Sequence, residues 1–110
     1  MSILDELRSE TREFAATRNW FQFHTPKNLA MAIAGETGEL VAEFQWLTPE
    51  ESERELLTVE KRFAIESELA DVFIYLIRLS DVLDVDLALV AREKLRFNEA
   101  RFPKPETNAN

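Results

Sequence analysis

Two short stretches carry the residue types that could do chemistry. Gly35-Glu36-Thr37-Gly38-Glu39 and Glu68-Leu69-Ala70-Asp71 each hold two acids three residues apart. That step is about one helical turn, so each pair projects from one side of its helix. Both pairs sit beside apolar stripes, where an unpaired carboxylate is costly. Four carboxylates on two helices could form structural ion pairs, share protons as general acid and base, or bind a metal ion. No cation lies between Lys27 and Arg54, so Glu36, Glu39 and Glu43 need partners from elsewhere. That weakens the ion-pair reading, and we read Glu36, Glu39, Glu68 and Asp71 as two halves of one divalent-metal site. All-oxygen ligands suit Mg2+, with Mn2+ as the alternative. A di-iron bundle would use Glu-x-x-His on two helices. The single histidine, His24, is in neither motif. Nothing in the chain argues for a Ser-His-Asp set, and no Gly-rich phosphate loop is present.

The elements that must hold these acids are helical. The chain has 110 residues, enough for one small domain, and its 45% hydrophobic content supports a modest core. Only two glycines and four prolines, among many Leu, Ala, Glu and Arg, indicate an all-α fold. The net charge is −8 with no basic block, which argues against a nucleic-acid-binding protein. A phosphate-bearing small ligand stays compatible if a metal carries part of the positive charge. There are no cysteines, hence no disulfide frame and no thiolate metal site. No apolar run of 18 residues and no basic-then-apolar start occur, so the expected location is the cytoplasm, with no membrane partner. Residues 1–102 read as one domain and 103–110 as a disordered tail.

Taken in order, residues 2–18 predict a first helix, capped by Ser2 with Asp5 completing a capping box. Leu4, Leu7 and Phe14 share one of its faces. Residues 19–25, Asn-Trp-Phe-Gln-Phe-His-Thr, break the pattern with three aromatics and the histidine. They read either as an apolar hinge or as an aromatic surface able to hold a nucleobase. Thr25-Pro26 starts a second helix, expected to run to about Leu47. Leu29, Ile33, Leu40, Phe44 and Leu47 form its stripe, with Glu36 inside it and Glu39 at its flank. Thr48-Pro49-Glu50-Glu51 opens a short acidic helical segment with a solvated face. A third helix is predicted from about Val59 to Leu83. Ile65, Leu69, Val72, Leu76, Leu79 and Leu83 give it a bundle-like seam, and Phe73, Ile74 and Ile77 add apolar surface elsewhere. A helix apolar nearly all round is buried nearly all round, which predicts a homo-oligomer built on it. Asp84 or Asp86 caps a fourth helix to about Arg101. Leu87, Val90 and Ala91 are expected to point inward there. Lys94, Asn98 and Arg101 continue that side as a polar, cationic stripe suited to phosphate oxygens.

With these residues assembled, the chain resembles the MazG-like all-α nucleoside triphosphate pyrophosphatases, and among them the dCTP pyrophosphatase branch. The signature E-x-x-E followed by E-x-x-D appears as Glu36-Thr-Gly-Glu39 and Glu68-Leu-Ala-Asp71. The surrounding text is more specific: Trp20-Phe-Gln-Phe-His24-Thr-Pro-Lys-Asn-Leu29, then Phe44-Gln-Trp46, Asp71-Val-Phe-Ile-Tyr75, Lys94-x-x-x-Asn98 and Arg101-Phe-Pro103. The resemblance covers about residues 12–103.

It implies a four-helix fold completed by oligomerisation, as a homodimer or homotetramer with the pocket built by more than one subunit. It implies Mg2+-dependent hydrolysis of a nucleoside triphosphate to the monophosphate and pyrophosphate. Glu36, Glu39, Glu68 and Asp71 match metal ligands. Trp20, Phe21, Gln22, Phe23, His24, Trp46 and Tyr75 match positions that hold base and sugar. Lys94 and Asn98 match positions facing the phosphates, and Arg101 joins Lys94 in steadying the leaving charge. Thr11 stands where some relatives carry a substrate-contacting histidine, a departure that bears on base preference; Phe73 and Glu43 also differ. Two rival readings remain on sequence alone. One is a non-catalytic helical interaction module. The other is a related pyrophosphohydrolase acting on dUTP or phosphoribosyl-ATP.

Overall fold

A computed structural model describes residues 2–106. It contains α1 (Ile3–Thr17), α2 (Pro26–Phe44), α3 (Val59–Val82) and α4 (Leu87–Arg101), with 3₁₀ turns at Phe21–Phe23 and Arg54–Leu56. No strand occurs among the described residues.

The helix starts follow the local chemistry. Ser2 and Asp5 form the expected capping box of α1. Thr25 accepts a hydrogen bond from the Asn28 amide, with Pro26 in the first turn of α2. Thr58 does the same for the Lys61 amide in α3. Of the two candidates for α4, Asp86 is the cap and accepts from the Leu89 amide. Asp84 instead takes φ 55°, as Asn19 takes φ 58°. Each follows a helix end and makes the paired bonds of a Schellman motif. Asn19 and Trp20 donate to Ala16 and Ala15, and Asp84 and Val85 donate to Asp81 and Ser80. The left-handed residue is usually glycine; Asn and Asp tolerate it because their short polar side chains bond locally.

α2 ends at Phe44 rather than Leu47. The Leu47 amide donates to the Phe44 carbonyl in a tight turn, and Thr48 precedes a proline, which disfavours helical backbone. The acidic segment that follows is mostly turn. Thr48 and Glu51 satisfy each other's backbone, but only the Arg54–Leu56 turn is helical. Glu50, Glu51, Glu53 and Glu55 are exposed, as a solvated face requires.

α2 packs mainly on α3, and α1 lies along α3. The buried apolar residues are Ala15, Leu29, Ile65 and Ile77. The expected seam on α3 is only partly internal. Ile65 is buried, but Leu69, Leu76 and Leu83 are exposed, and the most deeply buried residue of α3 is Ile77. α1 and α2 cover the Ile77 side, which leaves an open groove lined by Leu69, Ala70, Val72, Phe73 and Leu76. α4 has no buried residue and makes at most marginal contact with the other helices. Val90 and Ala91 do not point inward as expected; both are exposed, and Leu87 is half-buried. The dimensions agree with this openness. The radius of gyration is 17.8 Å, against about 13 Å for a compact chain of this length. The accessible surface is 8808 Å², about 2,500 Å² above that of a compact monomer of this mass.

Residues 103–106 carry no regular secondary structure; the rest of the expected tail, 107–110, lies outside the described residues. No helix among the described residues is long and apolar enough to cross a membrane.

Candidate functional site

The α2–α3 contact brings the acids together. Glu36 and Glu39 project from α2 and Glu68 from α3, and carboxylate oxygens of the three lie within 4.8 Å of one another. Glu36 and Glu68 are half-buried. Each has its Oε2 sealed from solvent with no hydrogen-bond partner among the described residues. No ion pair among those residues involves any of the three. Glu43, the third acid of α2, is different: it pairs with Lys61 at 3.1 Å, so for that residue the ion-pair reading holds.

The electrostatics follow from crowding. Burial raises the pKa of Glu36 above its ordinary value, and the charges of Glu39 and Asp71 raise it further. Burial also raises Glu68, helped by Glu39, Glu36 and Asp71. Buried, partnerless carboxylate oxygens with raised pKa want a positive charge. The donors are all hard oxygens, which fits a divalent cation of the Mg2+ type. Asp71 stands slightly apart. It is close enough to act on both glutamates, but it lies outside the group of three and forms part of the wall of a neighbouring cavity.

That cavity has a volume of about 460 Å³ and lies between α1, α3 and the aromatic turn. Its wall is mostly apolar, with Phe14, Trp20, Ile74 and Tyr75 joined by His24 and Asp71. Trp20 is held edge-on by Phe14 at 5.6 Å between ring centroids, and His24 lies tilted beside it at 6.1 Å. A volume of this size fits a small-molecule ligand. Of the expected nucleoside contacts, Trp20, His24 and Tyr75 line this cavity; Phe23 lines an adjoining one with the same three residues. Phe21 and Gln22 face a separate depression with Ala16 and Asn19. Trp46 is 86% exposed beyond the end of α2.

The cationic stripe is not beside the acids within one chain, because α4 stands away from α2 and α3. Lys94 lies over the Phe97 ring and Arg101 over the Phe102 ring, each on its own helix or just past it. Asn98 is half-buried.

Sequence reasoning reached Thr11 of α1 through the family resemblance but missed the rest of that helix's share. Glu10, Thr11 and Phe14 line the cavity, and the Thr11 hydroxyl donates to the Arg8 carbonyl at 3.1 Å. The available signal was Phe14, a large aromatic aligned with Leu7 just before the aromatic turn. Arg78 was also missed, although it is the single cation within the apolar run of α3.

Comparison with known proteins bears on this geometry. Residues 24–104 match the MazG nucleotide pyrophosphohydrolase domain. Over 100 residues the chain is 43% identical to dCTP pyrophosphatase 1 of Homo sapiens and 41% identical to that of Bos taurus. Each alignment covers 91% of this chain and 59% of the relative, so the chain spans less than two thirds of the length of these relatives. Among solved structures, a pyrophosphatase from Archaeoglobus fulgidus is similar with a TM-score of 0.85 at 38% identity, over 94% of this chain and 95% of that one.

Proposed function

Since the chain belongs to the MazG nucleotide pyrophosphohydrolase family, we propose that it hydrolyses a nucleoside triphosphate to the monophosphate and pyrophosphate. The proposed substrates are deoxycytidine triphosphate or a modified form of it, and the proposed cofactor is Mg2+. The observation that carries this reading is the pairing of two features. Three carboxylates converge with two sealed, partnerless oxygens. Asp71 then connects that cluster to an aromatic-walled cavity.

The roles follow from charge and shape. A triphosphate is a polyanion, and this chain carries a net charge of −8, so the cluster would repel its own substrate without a cation. Glu36, Glu39 and Glu68, with Asp71 at the cavity side, would hold the ion. When bound, the ion would neutralise phosphate charge and favour attack by water. Trp20, Phe23, His24 and Tyr75 bind the nucleoside, with its apolar faces against Trp20 and Phe14. A water attacks one phosphorus of the chain, the phosphoanhydride bond breaks and pyrophosphate leaves. The water's proton passes to a carboxylate of the cluster. Thr11 and Glu10 face the same cavity and bear on the choice of base.

The phosphate side needs positive charge that one chain does not bring close. A homo-oligomer answers this by covering the open groove of α3 and packing α4. Lys94, Asn98 and Arg101 then reach phosphate oxygens and steady the leaving pyrophosphate.

The test is a product assay with each common and 5-modified dNTP and NTP, in Mg2+ and in EDTA. Metal-dependent monophosphate and pyrophosphate, fastest from cytosine nucleotides, is the expected result. The same products from another base would move the specificity but keep the reaction. No turnover of any nucleotide, with no thermal shift by Mg2+, would overturn the proposal in favour of a helical interaction module.

A further inference from the structure

A second polar cluster borders the same cavity as Asp71, and the reaction as described uses only its His24. Arg78 is 4% exposed within the apolar run of α3. Its Nη1 donates to Asp81 Oδ2 at 2.9 Å, and its Nε donates to His24 Nδ1 at 3.3 Å. Asp81 is gripped from α1 by both Nε and Nη2 of Arg12. The face of Phe21 lies 5.4 Å from the Arg78 guanidinium carbon. The chain Arg12–Asp81–Arg78–His24 therefore runs unbroken from the surface to the cavity wall.

This arrangement decides the chemistry of His24. A guanidinium N–H can only donate, so Nδ1 must accept and carries no proton. A protonated imidazole would set two donors against each other beside a buried cation. The ring is therefore neutral, and its one proton sits on Nε2. Burial and the charge of Arg78 both depress the His24 pKa, in agreement with the geometry. The one side-chain hydrogen bond of His24 among the described residues is the one at Nδ1, and the ring is only half-buried. Glu10, Asp71, Tyr75 and Arg78 share the cavity with His24, and Arg12 and Asp81 join it and Arg78 around a smaller depression on the other side. The carboxylates there can only accept hydrogen bonds when ionised, whereas a locked Nε2–H can only donate.

We propose that Arg78, held by Asp81 and Arg12, is a positioning residue that fixes His24 as a neutral Nε2–H donor to an acceptor atom on the nucleoside half of the substrate. The inference rests on the pyrophosphohydrolase reading for its substrate, but not for the lock itself. It also assigns His24 no part in proton transfer.

The chain has one histidine, so an imidazole nitrogen–proton correlation spectrum of this labelled 110-residue chain reports on this ring alone. The expected spectrum shows the Nε2–H tautomer, with a midpoint below the ordinary histidine value of about 6.5. Asp81→Asn should loosen Arg78 and admit the second tautomer. Arg12→Gln, on the exposed side of the network, should do so more weakly if Asp81→Asn fails to fold. A mixture of tautomers in the unmodified protein, or variants that leave the spectrum unchanged, would overturn the lock. This readout needs no turnover and stands even if the nucleotide assay fails. The kinetic arm compares His24→Gln, whose amide N–H falls near Nε2, with His24→Asn, whose amide falls near Nδ1. His24→Asn should raise KM about tenfold with kcat little changed, the loss of one hydrogen bond. His24→Gln should recover most of it. Equal losses in both, or a kcat that falls while KM holds, would overturn the donor role.

Discussion

Replacing Glu36 by Gln separates a metal site from an ion pair by the sign of its effect on stability. The side chain keeps its shape and loses its charge. In the protein without metal, Glu36 has a sealed, partnerless Oε2 and oxygens of Glu39 and Glu68 within 4.8 Å. Two like charges at that distance repel by about 1 kcal/mol in water and about 3.5 kcal/mol at an effective dielectric constant of 20. Glu39 is exposed, so solvent screening selects the low end, about 1 kcal/mol. Glu36→Gln should therefore stabilise the metal-free fold and raise its Tm by about 4–8 °C. Excess Mg2+ should reverse the order. The unmodified protein gains about 2.7 kcal/mol at a hundredfold excess over Kd, and the variant, short of one ligand, gains far less. The assay is a pair of melts, in EDTA and in Mg2+, at one fixed protein concentration. If the carboxylate were instead held by a hidden cationic side chain, the variant would melt lower in EDTA and respond to Mg2+ unchanged. That pattern would refute the reasoning.

Other outcomes follow from the same structure. The pKa of both Glu36 and Glu68 is raised on folding, so the folded state holds more protons than the unfolded one above the ordinary value of 4.5. Stability of the metal-free protein should therefore fall as pH rises from there through the folded pKa values, and Mg2+ should flatten that slope; calorimetry across pH checks it. Trp20→Ala removes the largest ring of the cavity wall and should raise KM by about tenfold or more, in keeping with the worth of one base–aromatic stack; steady-state kinetics on the preferred nucleotide measures it. Leu76→Glu places a charge in the open groove of α3 and should shift the protein toward monomer, read by light scattering.

Much of this was legible in the residues and some was hidden for identifiable reasons. Ser2 and Thr25 announce helix starts because a hydroxyl followed by helical residues has one clear use, the free backbone amides. Helix ends were harder, because Asn19 and Asp84 do the work usually signalled by glycine and look like ordinary polar residues. The grouping of Glu36, Glu39 and Glu68 was readable from their position against apolar stripes. The fate of Glu43 was not, since its partner Lys61 comes from the next helix. Periodicity found the apolar surfaces of α3 but could not say which of them faces inward. Ile77 is internal and Leu76 is not, because α1 and α2 cover only one side. The same limit produced the error at Val90 and Ala91: an apolar stripe on α4 states that something must cover it, not that its own chain does.

The two needs the single chain leaves unmet are interleaved in sequence. Leu69 and Ala70 line the open groove, and they sit between Glu68 and Asp71, the acids at the cluster and the cavity wall. One helical turn thus faces the carboxylate cluster on one side and the bare apolar groove on the other. Whatever seats against Leu69 and Ala70 fixes the rotation of that turn, and with it the approach of Glu68 to Glu36. A cation that draws the glutamates together fixes the same turn from the other side. Packing over the groove and ion binding at the acids therefore favour one backbone geometry, and each should tighten the other. Leu76→Glu touches neither an acid nor the cavity wall, so a weaker Mg2+ response in that variant would be the mark of this coupling. An unchanged Mg2+ response in a fully monomeric variant would show that the turn is already rigid within one chain.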